Sequence, residues 1–122
     1  MSEFVEKRIR VEFFIPTGLF EFRYHRVVEF LRRQLARTHG GSTRTAVFQG
    51  LYLNPQTGKL DEDFLHVVFS DVKFDLSNPE QRIALIDYMT VLKGYVEDQL
   101  PGELEIWLTF YPIERAGVPY SE

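Results

Sequence analysis

The sequence predicts a mixed α+β fold, one antiparallel sheet backed by two helices. Three observations carry that expectation. Along the 122 residues the hydrophobic period switches twice from two to the helical value and back. Glycine and proline clusters stand at most of the switches. The composition, 44% hydrophobic and 26% charged, is that of a globular chain rather than a disordered or fibrous one. A chain of this length buries roughly two-thirds of its unfolded surface and needs no metal or disulfide staple. Cysteine is absent, which removes disulfides, Cys-ligated zinc and Cys nucleophiles.

Lys7 to Ile15 alternates, with Ile9, Val11, Phe13 and Ile15 on one side and Arg8, Arg10, Glu12 and Phe14 on the other. Pro16 ends the strand. Thr17 and Gly18 make the turn. From about Tyr24 to Thr38 the period is helical, with Val27, Val28, Leu31 and Leu35 in one stripe. Arg26, Glu29, Arg33 and Arg37 occupy the remaining surface. Gly40-Gly41 stops the helix, because glycine accepts positive φ. Thr43 to Leu53 and Phe64 to Phe74 read as strands joined by the turn residues Asn54-Pro55-Gln56-Thr57-Gly58, a hairpin with a longer loop. Ser77-Asn78-Pro79-Glu80 announces a second helix through a capping side chain, a proline in the first turn and an acid at the positive end. Leu85, Met89, Leu92 and Val96 form its buried stripe, and Pro101-Gly102 ends it. Glu103 to Tyr111 is the last strand, with Leu104, Ile106, Leu108 and Phe110 on one face. Pro112 and the segment from Gly117 to Glu122 are expected to fray.

The order β-α-β-β-α-β resembles the ferredoxin-like superfold over nearly the whole chain. The resemblance implies a four-stranded antiparallel sheet with both helices on one face. The length argues for one domain over residues 1–122, with a core expected from about 7 to 112 and a flexible tail over 113–122. This superfold hosts many unrelated activities, so it implies architecture and no function.

Helices on one face leave the other open, and an open face is usually polar. Here it carries aromatics. The last strand presents Glu105, Trp107, Thr109 and Tyr111 opposite its apolar residues, and the first presents Arg8, Arg10, Glu12 and Phe14. Both parities of the third strand are apolar, Leu65, Val67 and Phe69 or Phe64, Val68 and Val72, with His66 in the second set. Aromatics with Arg and His on an open sheet suggest an interface or a ligand site built from Arg10, Phe14, His66, Trp107 and Tyr111. Three readings stay open: a homodimer packed through sheet faces or edges, a small-molecule pocket against a partner subunit, and terminal segments folded over the aromatics.

His66 is the acid–base candidate of that face. The segment Pro16-Thr17-Gly18-Leu19-Phe20-Glu21-Phe22-Arg23-Tyr24 resembles the acylphosphatase loop in its Phe-Arg ending. That resemblance implies Arg23 as the phosphate ligand and Asn54 as the residue that positions water. The loop departs from the family in having one glycine, a Pro16 without an N–H and a Gly18-to-Arg23 spacing one residue longer. His39-Gly40-Gly41-Ser42-Thr43 follows a helix, the wrong dipole end for an anion, and reads as a helix stop. Asp61-Glu62-Asp63 lacks the spacing of a calcium loop and reads as a solvated turn.

Residues 1–45 hold 9 Lys and Arg against 5 Asp and Glu, and residues 46–122 hold 5 against 13, so a first part of +4 meets a second of -8. The simplest meaning is that the two parts face each other within or between subunits, and the sharper one is a basic surface for an acidic partner. The overall charge of -4 argues against nucleic acid. RRM domains share this strand order, but their third strand carries a basic-Gly-aromatic signature that His66-Val67-Val68-Phe69-Ser70-Asp71 lacks. No membrane-length apolar run or leader pattern is visible. The expectation is a cytoplasmic, homo-oligomeric binding or interaction protein, a dimer first, without metal or cofactor. A small enzyme is the alternative.

Overall fold

The computed structural model describes residues 5–16, 21–45, 47–100 and 106–116. Along the chain come β1 (Val5–Pro16), α1 (Glu21–His39), β2 (Thr43–Arg44), β3 (Phe48–Leu53), β4 (Leu60–Val72), α2 (Pro79–Gln99) and β5 (Trp107–Ala116). The expected turn at Thr17-Gly18, the stop at Pro101-Gly102, Glu103 to Glu105 of the last strand and the tail 117–122 lie outside the described residues.

All pairings among the described strands are antiparallel. β1 lies between β4 and β5, while β2 and β3 share the far edge of β4. The ferredoxin-like expectation fits this order roughly, but the sheet has five strands among the described residues rather than four. The extra strand comes from a break in the expected Thr43–Leu53 strand. Arg44 opposes Val68 and Phe48 opposes Leu65, so three intervening residues on one side face two on the other, a β-bulge. Thr45 satisfies the partner strand there. Its N–H donates to the Val67 carbonyl at 2.9 Å, and its hydroxyl accepts the Val67 N–H at 3.0 Å.

The alternation of β1 buries Ile9, Val11, Phe13 and Ile15. These share one core with Tyr24, Val27, Val28, Leu31 and Leu35 of α1, Leu85, Met89, Leu92 and Val96 of α2, and Val68 and Val72 of β4. Both helices therefore cover the same sheet face. α1 ends where Gly40 takes φ 92° and donates its N–H to the Ala36 carbonyl at 2.8 Å. α2 begins at the Asn78 side chain, which accepts the N–H groups of Glu80 (3.0 Å) and Gln81 (3.3 Å). At the other end the Glu97 carboxylate accepts the Ile106 N–H at 3.0 Å, tying the helix to the entry of β5.

β5 corrects a second expectation. It runs past Pro112 to Ala116, where a flexible tail was expected from residue 113. Among the described strands β5 pairs only with β1, and an edge strand is where proline is tolerated. No helix among the described residues is long and apolar enough to cross a membrane.

Candidate functional site: the open sheet face

The register of β4, β1 and β5 lays the open face out in rows. Phe14 lies between Val67 and Trp107, Glu12 between Phe69 and Thr109, and Arg10 between Asp71 and Tyr111. Arg8 lies opposite Ile113, and Glu6 opposite Arg115. Arg10, Phe14, Trp107 and Tyr111 are thus brought side by side, as the period-two pattern required. His66 is not with them. Its partner is Ile15, so it faces the helix layer, where its ring lies 5.7 Å from that of Tyr24. The grouping of His66 with Arg10 and Trp107 is corrected. β4 is apolar on both faces, so its own alternation carries no sign, and only the pairing with β1 sets it.

One end of this face is an ionic network. Arg10 grips Asp71 through two bonds, Nε–Oδ1 at 2.8 Å and Nη2–Oδ2 at 3.2 Å, and lies 4.6 Å over the Phe69 ring. Arg115 bonds Glu6 at 2.8 Å and approaches Asp71 at 3.7 Å, and Arg8 pairs with Glu6 and reaches the Asp71 carbonyl. The hydrogen bond to Asp71 raises the Arg10 pKa above its usual value. Burial, then the Glu12 carboxylate, raises that of the Tyr111 phenol. Beside this network Arg8, Asp71 and Arg115 meet His39 to Thr43 around a cavity of about 360 Å³. The other end is apolar, with Leu65 and Val67 buried, Phe14 half-buried and Trp107 62% exposed.

Sequence reasoning missed a second apolar surface. The β1 register ends at Pro16 opposite Leu65, so from Leu60 to Phe64 the hairpin of β3 and β4 is a two-stranded ribbon among the described residues. Leu51, Leu53, Leu60 and Phe64 lie on its helix-side face, which no described helix covers, and each is about half exposed or more. Their parity, shared with the buried Val68 and Val72, was the available signal.

The acylphosphatase-like pair falls on two different elements, and the loop expected to cradle the phosphate, residues 17–20, lies outside the described residues. Arg23 borders the α1–α2 groove. Asn54 holds the hairpin turn, accepting the N–H groups of Gln56 (2.9 Å) and Thr57 (3.4 Å) and donating to Asp61 at 3.0 Å. Those bonds occupy its side chain with turn chemistry. Asp61 and Glu62 sit on β4 itself rather than in a turn.

The His66 site has a consequence for stability. His66 Nδ1 and the Tyr24 hydroxyl are buried without hydrogen-bond partners among the described residues. Burial pushes the Tyr24 phenol up to about 12. Burial first, then Arg44 and His25, holds His66 below its ordinary 6.5, and burial does the same to His39. The unfolded chain takes up these protons at higher pH than the folded one. Stability contributed by the neutral imidazoles is therefore full above 6.5 and lost as pH falls below it. The urea midpoint is expected to fall between about pH 7.5 and 5.5, and His66→Gln to flatten that fall. An unchanged slope in the variant refutes the assignment to His66.

These features define the class: a mixed α+β chain with an antiparallel sheet and helices on one face. Among solved structures it is similar to the divalent cation tolerance protein CutA1 from Thermus thermophilus. The TM-score is 0.50 at 14% identity, over 96% of this chain and 86% of that one. It is also similar to CutA from Synechococcus elongatus, with a TM-score of 0.52 at 13% identity, over 92% of this chain and 85% of that one. At such identity the likeness concerns the fold. No protein-family model matches the chain, and no curated protein does.

Proposed function

We propose that this chain is a small, cytoplasmic, homo-oligomeric binding protein, a dimer in its simplest form. The observation that carries the reading is the exposed stripe of Leu51, Leu53 and Leu60 on the projecting hairpin. Its outer strand, Phe48-Gln49-Gly50-Leu51-Tyr52-Leu53, has neither charge nor proline and lies at the sheet edge among the described strands. Such an edge pairs with another chain unless it is blunted or covered. A second copy supplies that cover.

Light scattering across a concentration series tests the reading. The wild type is expected as a dimer or larger, and the Leu51→Lys/Leu60→Lys variant as a monomer. The variant keeps its stability to within about 1 kcal/mol, because both side chains are exposed. A wild type that stays monomeric throughout refutes self-association. Dissociation by Trp107→Ala with no effect of the leucine changes moves the contact to the open face.

One observation favours a second reading, a small-molecule site. The cavity beside Arg8 and Arg115 has the size of a small-ligand pocket. Citrate or phosphate raising the melting temperature, and losing that effect in Arg8→Met, supports it. No shift with either anion removes it.

A further inference from the structure

The second edge of the sheet carries a feature that neither the hairpin nor the ionic network uses. Among the described strands β5 pairs only with β1, so its outer edge is free, on the side of the sheet away from β3. From Trp107 to Tyr111 it has neither charge nor proline, the devices that blunt an edge strand. On the open face Trp107, Thr109 and Tyr111 are all exposed, and the register sets them opposite Phe14, Glu12 and Arg10. Thr109, the smallest of the three, leaves a gap between an indole and a phenol that each stand about 7 Å from it along the strand. That gap leads from the free edge to Glu12. The Glu12 carboxylate is held by neutral groups. It accepts the Thr109 hydroxyl at 3.1 Å, and the Tyr111 phenol lies close enough to feel its charge. It forms no ion pair among the described residues. The cations nearest to it are engaged elsewhere. Arg10, on the next row, is gripped by Asp71, while Arg8 and Arg115 beyond it share Glu6. Lys73 follows Phe69, the β4 partner of Glu12, about 13 Å further along the sheet. A half-buried carboxylate thus lacks a counter-ion among the described residues, beside an indole that is 62% exposed.

We infer that β5 takes up an extended peptide segment of a partner protein as an added edge strand, with a lysine of that segment laid over Thr109 onto the Glu12 carboxylate. The free backbone edge supplies affinity without regard to sequence, and the side chain beside Thr109 supplies the choice. Charge complementarity makes that side chain a cation. Reach makes it a long one. Two strand spacings, about 10 Å, separate an added strand from β1, and a four-carbon lysine stem and the Glu12 side chain close that gap from its two ends. The methylenes of the stem lie against the exposed Trp107 and Tyr111 rings, and the indole face attracts the ammonium. A second copy of this chain offers no such group at a described edge: β3 is uncharged, and Arg115 of β5 is already held by Glu6. A phosphate polymer is repelled by the same carboxylate. Self-association through the hairpin uses the opposite edge of the sheet, so both contacts fit on one protomer.

Fluorescence anisotropy of the full chain with a labelled Thr-rich peptide carrying one central Lys is the test. The comparison probes are the same peptide with acetyl-lysine, which keeps the stem and loses the charge, and one N-methylated at alternate backbone nitrogens, which cannot join a ladder. The Lys peptide is expected to bind, more weakly as salt rises, and the acetyl-lysine peptide about tenfold more weakly. Glu12→Gln lowers affinity for the Lys peptide by a similar factor and leaves the acetyl-lysine peptide unaffected, the signature of a direct pair. Trp107→Ala, at an exposed position, weakens the Lys peptide as well and guards against a folding defect in the Glu12 variant. Absence of Lys-peptide binding, equal binding of the acetyl-lysine or N-methylated peptide, or binding indifferent to Glu12→Gln or to Trp107→Ala each overturns the inference. The light-scattering mass of Glu12→Gln equals that of the wild type, so failure here leaves the self-association reading standing and the converse holds too.

Discussion

Phe13→Ala lowers the folding stability by about 3–5 kcal/mol, the largest loss expected from a single truncation in this chain. Phe13 has no exposed surface and sits on the central strand, between Val68 of β4 and Leu108 of β5. Both helices close over it through the shared core. Removing the ring deletes its transfer free energy and leaves a cavity that two neighbouring strands and two helices are poorly placed to collapse. Urea unfolding measures the loss, and Phe13→Leu gives a smaller one in case the alanine variant is too unstable to fold. A loss below about 1 kcal/mol for alanine places Phe13 outside the core and inverts the faces of β1.

Asp71→Ala is expected to cost about 2–3 kcal/mol, less than for a fully buried pair because Arg10 remains partly in water. The carboxylate is 12% exposed and serves Arg10 twice and Arg115 once. Its loss leaves guanidiniums grouped without their shared counter-charge. The companion Arg10→Met in the same chain should recover part of the loss, since an apolar side chain lies well on Phe69 without needing a carboxylate. Strict additivity of the two changes in a double-mutant cycle refutes the coupling and reduces the network to independent surface pairs.

The legible parts of the fold were those where one residue's periodicity is unambiguous. The stripe Leu85, Met89, Leu92 and Val96 is buried as its helical spacing requires, and the Asn78 cap and Gly40 stop are where their side chains or φ preferences place them. β1 showed both its faces, because every core residue alternates with a polar residue or Phe14. β4 showed neither, because its two faces are equally apolar. The bulge at Thr45 was hidden as well, since it depends on a hydroxyl reaching across to a backbone N–H on another strand. The continuation of β5 past Pro112 depends on that strand lying at an edge of the sheet.

For the candidate site the division is similar. Arg10, Phe14, Trp107 and Tyr111 could be placed on one face from strand alternation, which is local. His66 could not, because its face follows from the pairing of Ile15 with a residue about fifty positions away. Nor could the pairing of Arg10 with Asp71, or the exposure of Leu51, Leu53, Leu60 and Phe64, which arises because the hairpin outruns the helices. By itself the sequence determined the two helices, the order in which helices and strands alternate and the core stripes of β1, α1 and α2, since propensity, capping and period act over a few neighbouring residues. The tertiary structure alone decided register, which apolar stripes are covered and which charges meet, since these are set by contacts between segments whose separation along the chain carries no local signal.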